Sequence, residues 1–308
     1  MESIFVTGAT GVIGRRLLPL LLARGHRVTA VGRSAEKREA LERMGAVAVD
    51  LDLFEAVAVG ASVAGHDVVV NLATHIPPSS VRMFLPGTWR ENDRIRREGS
   101  RILADAAIAA GARSFVQESF ALIYADGGDA WIDERSPIRP VRYSRSVVDA
   151  ERSAQRASER GVTGVVLRFG AFYGPDSSQT RDMMRVVKSG WSPLPGSPRA
   201  FVSAVSHDDA ASAVVAALDV PEGIYNVVDD EPLRRREFVG ALALALGVRE
   251  PRFAPAWIAR LGGSLGEILA RSLRISNAKL RAASDWAPAY PSAREGWPAV
   301  IAALAAGK

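Results

Sequence analysis

Cysteine is absent from the 308 residues, which excludes disulfides, thiol nucleophiles and cysteine-bound zinc together. Histidine occurs only as His26, His66, His75 and His207, without HExxH-type spacing, so no metal site is expected. Lysine is nearly missing, with Lys37, Lys188, Lys279 and Lys308 alone. Long apolar runs are missing too. Leu17–Ala23 and Ala241–Val248 fall well short of the ~20 residues of a membrane span, so no membrane partner is expected. The opening Met1-Glu2-Ser3 lacks the basic start and small-residue cleavage site of a secretory leader, and a cytoplasmic protein is expected.

What remains is 48% hydrophobic and 24% charged, ordinary globular usage, with a net charge of +5. The arginines are interleaved with Glu and Asp along helical stretches. The denser groups, Arg94/Arg96/Arg97 and Arg234–Arg236, have no aromatic platform beside them, so no nucleic-acid partner is expected. A small-molecule substrate is the expected partner, with a homodimer allowed. Short apolar runs alternate with helix-period segments, the pattern of an α/β protein with a parallel sheet. Strands are expected at Ile4–Thr7, Arg27–Gly32, Ala46–Asp50, Asp67–Leu72, Ser114–Ser119, Gly164–Arg168 and Gly223–Val228. Helices are expected near Ile13–Arg24, Ala35–Met44, Phe54–Ala58, Arg90–Ala110, Ser144–Arg160 and His207–Leu218. The texture changes after Pro175, and residues 1–175 with 201–228 read as a Rossmann-type core. Residues 176–200 with 229–308 read as a small C-terminal substrate-binding cap.

At the first strand-to-helix junction stands Thr7-Gly8-Ala9-Thr10-Gly11-Val12-Ile13-Gly14. Gly8 permits a tight turn, Gly11 lets the backbone approach a pyrophosphate, and Gly14 allows close helix–sheet packing. The following helix N-terminus presents unpaired N–H groups to the phosphates. This TGATGxxG form resembles the short-chain dehydrogenases/reductases, especially their extended NAD-dependent epimerase/dehydratase branch. Further matches follow in order: Asp50-Leu51, Asn71-Leu72-Ala73, Asn92, Ser119 with Tyr124, Asp133-Glu134, Leu167-Arg168, Tyr173-Gly174-Pro175, His207-Asp208-Asp209-Ala210 and Tyr225-Asn226-Val227. The resemblance implies a doubly wound, mostly parallel seven-stranded sheet. It implies cofactor contacts from Gly8, Thr10, Gly11, Val12 and Ile13, from Asp50 and Leu51 at the adenine, and from Leu72, Ala73 and Thr74.

NAD specificity usually needs a carboxylate after the second strand. Here that strand runs into Gly32-Arg33-Ser34. Arg33 offers a guanidinium fork to a 2′-phosphate, Ser34 a hydroxyl, and Arg15 a further contact, so NADP(H) is favoured over NAD(H). The family's catalytic set is a serine or threonine, a tyrosine, and a lysine four residues after it. In this chain the lysine position is Val147, the hydroxyl position is Phe120, and no tyrosine is followed by lysine at that spacing. Tyr143 is either a surviving proton donor or an aromatic of packing; Ser119, Tyr124 and His75 are the substitutes. Phe84, Met183, Met184 and Trp191 either line an apolar pocket or pack core against cap. Three function classes stay open: an NADP(H)-linked reductase of a small carbonyl compound, a sugar-nucleotide epimerase or dehydratase using Arg181, Arg185, Arg199 or Arg274, and a silent dinucleotide sensor.

Overall fold

Seven of the apolar runs pair into a single sheet in the computed structural model, which describes residues 1–77, 82–85 and 87–306. The strands are β1 (Ser3–Thr7), β2 (Arg27–Val31), β3 (Val47–Val49), β4 (Val68–Asn71), β5 (Ser114–Phe120), β6 (Thr163–Phe169) and β7 (Gly223–Val227). Their order is β7-β6-β5-β4-β1-β2-β3, and every pair is parallel. The strand order reverses between β1 and β4, and the carboxyl ends of those two strands open the crevice where such sheets take ligands.

Both faces of the sheet are covered, which explains the continuous apolar strands. Ile4 and Val6 of β1 pack on one side with Leu17, Leu18 and Leu21 of helix α1 (Gly14–Ala23). Phe5 points the other way, with Val69 and Phe115, into a second cluster that takes in Val59 and Val63 of a further helix. The period of two along β1 therefore divides one strand between two cores.

Two helical expectations are corrected. The stretch expected as a helix at Phe54–Ala58 turns first and forms its helix over Ala56–Val63, which leaves Phe54 on the turn. The long helix over Arg90–Ala110 is interrupted: Arg90–Arg94 and Ser100–Ala109 are α-helical, and Ile95–Gly99 between them is a π-turn. Such turns insert an extra residue and re-aim the side chains beside them. Beyond the sheet, Tyr173, Val187, Phe238, Leu242 and Trp297 form a third cluster, with the helix Ala293–Ala306 as one wall.

Candidate active site

The glycine turn leaves β1 at Thr7, whose hydroxyl donates to Asn71 Oδ1 at 2.6 Å across the β1–β4 pair. Asn71 Nδ2 donates in turn to Gln117 Oε1 at 2.9 Å and Ser100 Oγ at 3.1 Å, so the floor under the crevice is a closed polar network. The three glycines differ in what they permit. Gly8 has φ +71°, and a Cβ there would lie 2.3 Å from the Leu72 carbonyl oxygen. A Cβ on Gly14 would strike the Gly8 carbonyl oxygen at 2.4 Å. Gly11 meets only the Gly8 oxygen, at 3.1 Å, and lines an open cleft of about 260 Å³. Gly8 and Gly14 are therefore required by the chain itself, while the space at Gly11 belongs to whatever enters the cleft. That geometry fits a dinucleotide pyrophosphate at the start of α1.

The cleft walls take in Gly8, Thr10, Gly11, Arg33, Leu72, Ala73 and Thr74 from the expected set. The other expected residues are not among the cleft-wall residues. Val12 and Ile13 pack on the core side of the turn, and Ser34 caps the helix Ala35–Arg43 by accepting the Lys37 N–H at 3.3 Å. Asp50 is paired with Arg38 at 2.9 Å, and Leu51 is buried in the second core cluster. The wall at that turn is made instead by Asp52, Leu53 and Phe54. Arg15 lies 3.9 Å from Asp176 and outside the cleft lining. Lys37, four residues beyond Arg33 and given no role by the sequence reading, lines the cleft where Arg15 does not. Glu91 and Ile95 were also missed; their i,i+4 spacing puts them on one helical face toward the cleft.

The residues beyond β5 are built differently. Ser119 is sealed in the interior and donates to Glu151 Oε1 at 2.6 Å, and Arg168 holds the same carboxylate in a fork at 2.7 and 2.8 Å. Arg168 also stacks over the Tyr124 ring, 4.9 Å from its centroid. Tyr124 is fully buried, its hydroxyl donates to Asn226 Oδ1 at 2.8 Å, and burial pushes the phenol up to about 12. Neither Ser119 nor Tyr124 lines the cleft. Both belong to a buried network that ties β5, β6, β7 and the helix Arg145–Ser158 together.

Val147 is fully buried, and Phe120 stands between two partners. The Arg96 guanidinium lies 5.0 Å from its ring centroid, and the Tyr143 ring meets it edge-on at 6.1 Å. Tyr143 also packs at 87° against Trp89, with centroids 4.6 Å apart. Trp89 is fixed by a bond from Nε1 to the Met83 carbonyl at 2.8 Å. Burial holds the Tyr143 phenol well above its ordinary range, opposed by the nearby Arg96 charge. That charge is already engaged: Arg96 and Glu118 form a buried pair at 3.1 Å. His75 is exposed, and its backbone N–H donates to Asn92 Oδ1 at 2.9 Å. Met183 and Met184 pack on the third core cluster, Trp191 is half exposed, and the Phe84 side chain lies outside the described residues. Among the described residues no group of potential metal ligands occurs, and no helix is long and apolar enough to cross a membrane.

Comparisons with known proteins agree with this geometry. A family described as NAD(P)H-binding matches residues 8–221. A Streptomyces protein named 3-diazoavenalumate denitrifying reductase is 35% identical over 306 residues, covering 95% of this chain and 98% of its own. A Stigmatella aurantiaca protein named 4-hydroxy-2-methyl-3-oxo-4-farnesyl-3,4-dihydroquinoline-1-oxide ketoreductase is 30% identical, covering 87% of this chain and 81% of its own. Among solved structures, the human epimerase family protein SDR39U1 with NADPH superposes with a TM-score of 0.78 at 22% identity, over 97% of this chain and 99% of that one. With a glycine turn at the strand-order reversal that leaves room for a pyrophosphate and a lysine position filled by valine, the chain belongs to the NAD(P)H-binding family, as an extended short-chain dehydrogenase/reductase of the NAD-dependent epimerase/dehydratase type with a degenerate catalytic triad.

Proposed function

We propose that this protein is an NADP(H)-linked reductase of a small electrophile. The observation that carries the cofactor choice is the cation pair beside the end of β2. Arg33 and Lys37 both line the cleft, and among the described residues neither side chain has an ion-pair partner. A carboxylate is disfavoured there, because a Cβ on Gly32 would press on the Arg38 side chain at 2.9 Å. The nearby Asp50 is already neutralised by Arg38. Two cations without an ion-pair partner among the described residues suit a 2′-phosphate, with Asp52 and Glu91 also on the cleft wall.

The direction follows from the other half of the site. Oxidation of an alcohol needs a base, and a phenol with an ordinary pKa near ~10 is about one part in a thousand phenolate at neutral pH. Tyr143 is held higher still and has no lysine four residues on. A neutral phenol can donate to a carbonyl oxygen as hydride arrives, so reduction is favoured. Bound dihydronicotinamide supplies the hydride. The two relatives described above are both named as reductases, one for a diazo compound and one for a ketone. The epimerase reading needs a base as well as an acid, and among the cap arginines it would use, Arg274 is stacked on Trp131 at 4.2 Å and Arg185 is paired with Asp182. Calorimetry is the test. Tighter binding of NADPH than NADH, reversed by Arg33→Asp, is expected; equal affinity for the two would overturn the cofactor assignment.

A further inference from the structure

The short strand Trp131–Ile132 pairs in parallel with Arg274–Ile275, Trp131 beside Arg274 and Ile132 beside Ile275. The period of two sends both isoleucines inward, where they are buried in a fourth apolar cluster with Tyr124. Trp131 and Arg274 are left on the outer face. There cations and rings alternate. The Arg274 guanidinium lies 4.2 Å from the Trp131 ring centroid and 5.0 Å from that of Phe201, and Arg234 stacks over Phe201 at 4.4 Å. Asp129 ties both arginines: its Oδ1 accepts from Arg234 at 3.1 Å and its carbonyl oxygen from Arg274 at 3.3 Å.

Trp131 ends this series and is still 52% exposed. It lines an open groove of about 490 Å³ with Asp133, Ser136, Ser276 and Ala278, none of which lines the cofactor cleft. Among the described lining residues Asp133 alone is charged, and it has no ion-pair partner among the described residues. Its Oδ1 accepts the Ser136 hydroxyl and the Arg135 N–H, each at 3.0 Å. The Ser136 bond, foremost, holds the carboxyl below its ordinary range, so the groove carries a fixed anion. An aromatic face beside an unpaired carboxylate calls for a cation. A guanidinium suits it better than an ammonium, since it is planar, stacks on rings and is more weakly hydrated. Arg274 behind the indole does not prevent this. Two guanidiniums on either side of one ring stand about 8 Å apart, where water reduces their repulsion to roughly thermal energy.

We propose that this groove docks an arginine side chain of a partner polypeptide, its guanidinium stacked on the open side of Trp131 and paired with Asp133. The site is independent of the reductase reading above. A polypeptide is the fitting source because the two contacts are exposed, and each amounts to only about 2- to 5-fold in affinity. Such contacts select an arginine on a chain that is also held by its neighbouring residues, and leave a free guanidino compound mostly unbound. The groove volume is likewise that of a site for more than one small cation, with room for the peptide units beside the arginine.

The test is a titration of the full chain with the blocked peptide Ac-Gly-Arg-Gly-NH2, followed by nitrogen-15 resonances of the Trp131 indole and the Ala278 amide. Its lysine and citrulline counterparts are the controls, citrulline being planar and nearly isosteric but uncharged. The arginine peptide is expected to shift both resonances saturably, with the two controls at least about twofold weaker. Asp133→Asn is expected to weaken the arginine peptide by about 2- to 5-fold and to bring it level with citrulline. Trp131→Ala, read at Ala278, is expected to weaken it by a similar factor. An unchanged NADPH affinity in each variant checks that the fold is intact. The absence of a saturable shift, equal binding of the arginine and citrulline peptides, or indifference to Asp133→Asn would each overturn the proposal. Agmatine binding as tightly as the arginine peptide would overturn the polypeptide as its source.

Discussion

The cofactor cleft and the region beyond β5 share one edge of the sheet, yet their polar groups have opposite roles. Around the cleft, Arg33 and Lys37 are exposed and have no ion-pair partner among the described residues, and the turn at Gly11 is open. Beyond β5 the polar groups are buried and spent on one another, as in Ser119–Glu151–Arg168 and Arg96–Glu118. Polar atoms left free at a surface are available to a ligand; polar atoms satisfied in the interior hold the fold. Around the cleft, charge and backbone space are open to a ligand, while beyond it the residues that carry the family resemblance are held in buried pairs and in aromatic and aliphatic packing.

That contrast is broken most severely from the buried side. Glu151→Ala leaves the Arg168 guanidinium desolvated and uncompensated, and should cost about 3–5 kcal/mol in urea denaturation. Pairing it with Arg168→Met should return much of that loss. If Glu151→Ala left stability intact and abolished turnover instead, the pair would belong to the chemistry and not to the fold.

On the cofactor side, His207 packs behind α1 against Gly174, buried among Arg15, Arg16, Asp176 and Asp208. Burial, and then the Arg16 charge, push its imidazole down to about 4 from an ordinary 6.5. The unfolded chain therefore binds a proton that the folded chain refuses between those values. Stability from this group is complete above pH ~6.5 and is lost as pH falls toward ~4, by on the order of 3 kcal/mol. His207→Gln should flatten that part of the stability–pH curve; an unchanged slope would assign the acid sensitivity to other groups.

Gly11→Val separates binding from folding. Its Cβ meets a single backbone atom at 3.1 Å, so the fold should lose less than about 2 kcal/mol. NADPH affinity should fall on the order of 100-fold, equivalent to losing one charge-assisted hydrogen bond. Gly8→Ala should show the reverse balance, since its backbone is at φ +71° and pressed against Leu72. Arg33→Asp comes next, with a shift of about 1.5–3 kcal/mol against NADPH and toward NADH by calorimetry. The smallest effect belongs to Tyr143→Phe, which should leave NADPH affinity within about twofold, because its ring packs on Trp89 and Phe120 and not on the cleft lining. A large loss of affinity there would erase the distinction between the two regions.

The seven strands and the glycine turn were legible in the amino-acid sequence because their causes are local. A buried parallel strand is a short continuous apolar run, and a phosphate turn needs glycine at fixed offsets, so β1 through β7 and Gly8, Gly11 and Gly14 fall where the residues put them. The empty lysine position at Val147 was equally plain, since it is a matter of spacing alone. What the tertiary structure decided is which polar groups face one another. Ser119 and Glu151 are 32 residues apart, and Arg96 and Glu118 are 22 apart; their pairing, not their type, made them structural. The π-turn at Ile95–Gly99 likewise fixed which side chains of one helix face the cleft. The cation beside Arg33 proved to be Lys37 rather than Arg15 because α1 carries Arg15 toward Asp176 while the helix after β2 returns Lys37 to the crevice. Backbone conformation and burial pattern are written in short range. The choice between a free charge and a neutralised one depends on a partner that only the folded chain brings within reach.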